Sequence, residues 1–147
     1  MHLPDTGKSA EAVMVEWSEA LSVGHRVIDD QHRDLIVRVN ALNAAISAGD
    51  AAERITIMAA EFFSAYKAHA AFEELAMHQL FYASVERHAE HHTMHLDALT
   101  TLMSVEPLLE AIRINLPFIN SAVFDHIERD DRDFATHLKA IGLYGRV

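Results

Sequence analysis

The sequence predicts an all-α fold, an up-down-up-down four-helix bundle preceded by an N-terminal arm. Three observations lead there. Helix-interrupting residues are scarce, with 5 Gly and 3 Pro in 147 residues, whereas an all-β fold needs a turn every ~8–12 positions. Apolar residues recur at steps of three and four along four successive stretches, the period of a helix with one buried face. The links between those stretches are short, which favours antiparallel neighbours. One domain accounts for the length, because 50% of the residues are apolar and a chain of this size buries a core without staples.

The elements follow in order. Residues 1–16 show no clear period and read as a loosely ordered arm ending before Trp17, with the bundle over 17–147. The first stripe is Ile28, His32, Leu35, Val39, Leu42 and Ile46, stopped by Gly49 as a residue free to turn left-handed. Asp50-Ala-Ala-Glu53 has the form of a capping box with Asp50 at the N-cap. It opens the second stripe, Ile55, Met58, Phe62, Tyr66, His69, Glu73 and Ala76. A third runs Val85, His88, His92, His95, Leu99 and Leu102 and stops near Ser104. The fourth lies between Pro107 and Leu138, with Ile119, Val123, His126 and Phe134 along it. Pro117 must either begin its regular part or kink it.

Charge and composition then exclude several roles. Lys plus Arg total 12 against 22 Asp plus Glu, a formal charge of −10. Such a surface repels phosphates and anionic headgroups, so no nucleic-acid or membrane partner is expected. No cysteine is present, which removes disulfides, thiolate metal sites and a thiol nucleophile. No apolar run has the length of a signal peptide core or a membrane span, so a cytoplasmic location is expected.

The 11 histidines are the chemical signal. His32, His69, His88, His92 and His126 fall on the inward stripes, together with Glu73. A single inward His is ordinarily a core imidazole bonded to a backbone carbonyl. Five with a carboxylate, spread over all four helices, would each cost about 1–3 kcal/mol if unsatisfied, and a metal satisfies them together. The pairs His69/Glu73 and His88/His92 are four apart, so each pair shares one face about 40° apart and one turn up. Nitrogen and carboxylate donors without sulfur suit iron, zinc, manganese or copper. On the fourth helix the bare helical arithmetic favours Asp130 as the partner of His126, since Asp131 lies about 140° away on a regular helix.

Trp17 followed by SVGHRVIDDQHRDLI (22–36), then HAAFEELAM (69–77), HAEHH (88–92) and HIERDD (126–131), resembles the hemerythrins, specifically single-domain bacteriohemerythrins. The likeness runs from about Trp17 to Leu138 and involves all four helices in order. It implies two iron ions with an oxo or hydroxo bridge and reversible binding of dioxygen, for oxygen storage, transport or sensing. By that resemblance His88, His92 and His126 hold one iron and His32 and His69 the other, which keeps an open position. Glu73 and Asp131 bridge the two. Asp131 then stands five residues after His126, against the arithmetic above, and a π-bulge between them would reconcile the two readings.

The resemblance also names the small-ligand pocket, Leu35, Ala70, His95, Ala122, Val123 and Ile127. Three of these depart from the family's habit: Ala70 and Ala122 stand where Phe and Trp are common, and His95 where Phe is usual. A roomier and wetter route to the open iron is expected unless Phe62, Phe72 or Phe124 fills it. That favours faster autoxidation and brings forward an alternative, a di-iron enzyme or sensor acting on peroxide or NO. Sensing would need a separate protein partner. His2, His25, His78, His91 and His137 fall off the inward stripes and are expected on the surface.

Overall fold

The computed structural model describes residues 15–147. Among them there are helices and no strands. Helix α1 spans Arg26–Ala48, α2 Ala52–Gln79 and α3 Val85–Met103. The fourth bundle helix is composite: α4 Leu108–Ile114, α5 Leu116–Asp125, a π-helical segment His126–Asp130, and α6 Arg132–Ala140. Helix α1 packs along α2, and α2 along α3; the fourth closes on α1 through α5 and on α2 and α3 through α4. The result is the four-helix bundle the stripes predict.

Local chemistry explains the ends. Gly49 takes the left-handed conformation (φ 71°) after α1, and the Asp50 N–H reaches back to the Ala45 carbonyl at 3.0 Å, closing the helix end. That use of Asp50 overturns the expected capping box. Helix α2 starts at Ala52 with Ala51 at its N-cap and no side-chain cap, while the Asp50 carboxylate pairs with Arg54 at 3.3 Å. Pro117 stands in the first turn of α5, where its missing N–H costs nothing, so the fourth helix breaks at Asn115 and restarts. Of the expected arm, residues 1–14 lie outside the described ones. Val15 is buried and exchanges hydrogen bonds with the Asn40 side chain at 3.1 and 2.7 Å.

Two apolar clusters fill the bundle. The larger includes Leu35, Val39, Leu42, Ile55, Phe62, Tyr66, Leu99, Ile112, Ile119 and Val123. The smaller gathers Val23, Ile28, Met77, Tyr82, Val85, Phe134 and Leu138. Each large apolar side chain so buried contributes about 1.5–3 kcal/mol. On every helix the stripe passes from one cluster to the other through a polar stretch: His32 on α1, His69 and Glu73 on α2, His88 and His92 on α3, His126 and Asp131 on the fourth. The apolar layers above and below therefore fix the polar ring between them and keep water from it.

Candidate metal centre

All seven of these polar residues are buried, none more than 5% exposed. Their ring nitrogens and carboxylate oxygens converge. The Glu73 carboxylate lies 2.7 Å from His88 Nε2, 3.1 Å from His92 Nε2, and 3.3 Å from both His69 and His126 Nε2. Asp131 lies 2.8 Å from His32 Nε2, 2.9 Å from His88 Nε2 and 3.2 Å from His126 Nε2. Both carboxylates thus stand between imidazoles from different helices.

Two overlapping groups have their donor atoms within 4.8 Å of one another: His32, His69, Glu73, His126 and Asp131, and Glu73, His88, His92 and His126. Each group could hold a metal ion. Despite the short separations, His32 Nε2, His92 Nε2, Glu73 Oε2 and both Asp131 oxygens are sealed from solvent without an aligned hydrogen-bond partner. The atoms point at a common space more than at each other, and orphaned buried polar groups are rare in folded proteins. A bound cation satisfies donors of this kind together.

Asp131 arrives there because the fourth helix is π-helical over His126–Asp130. The Asp131 N–H bonds to the His126 carbonyl at 3.1 Å, an i→i+5 bond that stacks residues five apart. Asp130, the choice of regular-helix arithmetic, instead faces His91 at 3.6 Å.

Outer contacts set the imidazole orientations. His69 Nδ1 donates to Gln31 Oε1 at 2.7 Å and His92 Nδ1 to Glu74 Oε2 at 2.7 Å, which turns the Nε2 lone pair of each ring inward. Glu74, next to Glu73 in the chain, thereby orients a ring of the neighbouring helix. Gln31 was not singled out from sequence, although it lies within the DDQH segment beside His32 and its neighbour in the motif was a signal.

The electrostatics are those of a carboxylate pair enclosed by imidazoles. Burial opposes charge on every group here, and the surrounding imidazoles outweigh it at the carboxylates, holding Glu73 well below the usual range and Asp131 below it. Against the same burial, the adjacent Asp131 and Glu73 carboxylates raise His32 to about 9 and His88 to about 10. Burial dominates at His69, which falls to about 4.

The residues expected to line a small-ligand pocket are less uniform. Leu35, Ala70, Ala122, Val123 and Ile127 are at most 4% exposed. Phe62 is buried in the same cluster as Ala122, Phe124 packs against that cluster, and Phe72 packs against the other. His95 is half-buried, and the fully buried Tyr66 hydroxyl lies 3.1 Å from its Nδ1. Of the histidines expected on the surface, His78 and His91 are exposed and His2 lies outside the described residues. His25 and His137 are half-buried with structural partners: His25 Nδ1 accepts from the Ile28 N–H at 3.4 Å at the head of α1, and His137 Nε2 donates to the Leu80 carbonyl at 2.8 Å.

No described helix is long and apolar enough to cross a membrane. The chain is 27% identical over 131 residues to a bacteriohemerythrin of Stenotrophomonas maltophilia (strain R551-3), an alignment covering 86% of this chain and 83% of that protein. No family model matches the chain, and no solved structure matches it.

Proposed function

We propose that this chain is a hemerythrin-like protein that binds dioxygen reversibly at a di-iron centre and turns over no substrate. The observation that carries the reading is the buried ring of five histidines and two carboxylates, completed by a π-helical segment that delivers Asp131. His88, His92 and His126 would hold one iron and His32 and His69 the other, with Glu73 and Asp131 across both and an oxo or hydroxo group as the third bridge. A ferrous pair held by these residues would supply two electrons to dioxygen and take them back on its release.

The residues around the ring would do the rest. Gln31 and Glu74 hold the His69 and His92 rings with Nε2 inward. Leu35, Val123 and Ile127 keep water and external acids from the open side, and reversibility depends on that exclusion. The likeness to a bacteriohemerythrin supports the iron and dioxygen assignment, and the location we propose is cytoplasmic.

An optical titration tests the reading. The metal-free protein is loaded anaerobically with ferrous iron, exposed to dioxygen, then deoxygenated. Charge-transfer bands that appear and vanish on deoxygenation are the expected result; bands that never build refute it. The small side chains at Ala70 and Ala122, with His95 beside Tyr66, favour a second reading, a centre acting on peroxide or NO. Sustained turnover with either, and slower autoxidation in Ala70→Phe, would mark it.

A further inference from the structure

A cavity of about 210 Å³ opens on the outer side of the metal ring, between the start of α3 and the π-helical segment. That volume is below the ~300 Å³ of a drug-sized pocket, so it suits a small molecule. Its floor is His88, the most exposed of the seven ring residues yet still only 5% exposed. The Nε2 of His88 faces the carboxylates inside, and its ring meets the cavity on the other side. His69 and His92 spend their outer N–H on Gln31 and Glu74, and His32 Nδ1 is sealed in without a partner. His88 Nδ1 differs from all three. It has no hydrogen-bond partner among the described residues and is not among the atoms shut off from solvent.

The walls carry both charges. Arg87 and Arg129 are exposed and line the cavity. Neither is ion-paired to a described carboxylate, whereas Arg33, Arg38, Arg54 and Arg113 each are. Asp130 and Asp133 line it too, Asp130 facing His91 at 3.6 Å. Two free guanidiniums and an inward N–H call for anionic oxygens. Two carboxylates beside them would repel a bare anion but accept hydrogen bonds from hydroxyl groups.

We propose that this cavity docks a small hydroxylated organic anion that serves as electron donor to the metal pair. The proposal rests on the iron reading above. Arg87 and Arg129 hold the anionic oxygens, Asp130 and Asp133 take the hydroxyls, and an oxygen of the donor accepts from His88 Nδ1–H. An enediol monoanion of the ascorbate class loses one electron and one proton. The electron reduces one ferric ion to ferrous through the His88 ring, and the proton passes to solvent at the cavity mouth. A ferrous protein that autoxidises would be restored this way, at the ring ligand with the greatest exposure.

Two measurements test it. In the first, zinc-loaded protein is titrated calorimetrically with gluconate, a redox-inert hydroxy acid. Saturable binding, weakened at least about tenfold in the double variant Arg87→Ala/Arg129→Ala, is expected. In the second, the oxidised iron protein is reduced by ascorbate. The rate should saturate with ascorbate, and the double variant should need at least about ten times more to half-saturate, while uncharged dithiothreitol reduces both proteins equally. Gluconate binding that is absent, or equal in the two proteins, overturns the proposal, as does an ascorbate rate that is linear and unchanged by the substitutions. Gluconate binding does not involve dioxygen, so failure of the dioxygen reading alone leaves that titration intact. Circular dichroism on the variant separates lost docking from lost folding.

Discussion

Loading this centre with metal should release at least two protons at pH 7.5. In the metal-free protein the two buried carboxylates, Glu73 and Asp131, stay ionised. His32 at about 9 and His88 at about 10 are both protonated at that pH, so the ring balances two negative charges with two imidazoliums. A metal takes only the neutral imidazole, so both protons must leave. His69, lowered to about 4, is already neutral and contributes none. His92 is also raised from its ordinary value, and a bridging hydroxide formed from water would add one more proton. Two displaced protons make the apparent affinity climb about 100-fold per pH unit from neutrality towards pH 9, then less steeply up to about 10. Both imidazoles are raised above about 6.5, so the stability they lend the metal-free fold is complete below that pH. It is lost as the pH passes 9 and 10. The melting temperature of metal-free protein should therefore fall over that range while the loaded protein stays level. Proton release is read with a pH indicator in weak buffer, and affinity by chelator competition at several pH values. Release of less than one proton at pH 7.5, or an affinity flat with pH, would refute the reasoning.

Other substitutions separate orientation, packing and backbone geometry. Glu74→Gln replaces the carboxylate on His92 Nδ1; because Glu74 is about a third exposed, metal affinity should fall towards the lower end of the ~10–100-fold range for such partners, as measured with a competing chelator. Asn43 and Asn120 exchange hydrogen bonds of 2.8 and 3.2 Å between α1 and α5 while buried. Asn43→Ala orphans its partner and should cost about 1–3 kcal/mol in urea unfolding, and Asn43→Leu/Asn120→Leu should recover part of it. Gly24 and Gly142 both have positive φ, 80° and 78°. A Cβ on Gly24 would strike the Tyr144 ring, whereas one on Gly142 meets open space. Gly142→Ala should cost about 1–2 kcal/mol and Gly24→Ala distinctly more, a ranking that thermal melts will check.

The bundle was legible because its driving force is periodic. Ile28, Leu35, Val39 and Leu42 mark a buried face of α1 at the spacing of a helix, and the other long helices announce themselves the same way. Six of the seven ring residues were legible for a related reason: imidazole or carboxylate at an inward position conflicts with its surroundings, and the conflict shows in one dimension. What a stripe cannot show is which group ends up satisfied by which. Asp50 looks like a cap from sequence, yet its N–H closes the preceding helix and its carboxylate goes to Arg54. His137 looks like surface and instead bonds a carbonyl 57 positions away. Gln31 and the cavity under His88 depend on how neighbouring helices meet, which no single helix records.

Asp131 is the exception that the sequence half records. Counting in regular turns from Val123 through His126 leads to Asp130, but the buried residues beyond are Asp131, Phe134, Ala135 and Leu138, one position out of phase. A π-helical segment amounts to one residue inserted into an α-helix, and the i→i+5 bond from Asp131 to His126 absorbs that residue while both flanks keep their faces. The segment can therefore be removed without moving its neighbours. Deleting exposed Glu128 leaves His126 and Asp131 four apart, the spacing at which a regular helix places two side chains on one face. Phe134 and Leu138 return to the phase of Val123, and α6 keeps its buried side. The deletion variant should fold, unfold with no more than about 1 kcal/mol of change because one strained turn is traded for a regular one, and bind as many metal ions as the parent. Deleting exposed Arg132, beyond the segment, leaves the His126–Asp131 spacing alone and rotates Phe134 and Leu138 off the core; that variant should unfold. Metal binding is measured by elemental analysis after gel filtration and stability by urea. Should the Glu128 deletion lose its metals while folding normally, the π-helical segment does more than absorb one residue, and its own geometry sets how Asp131 meets the ring.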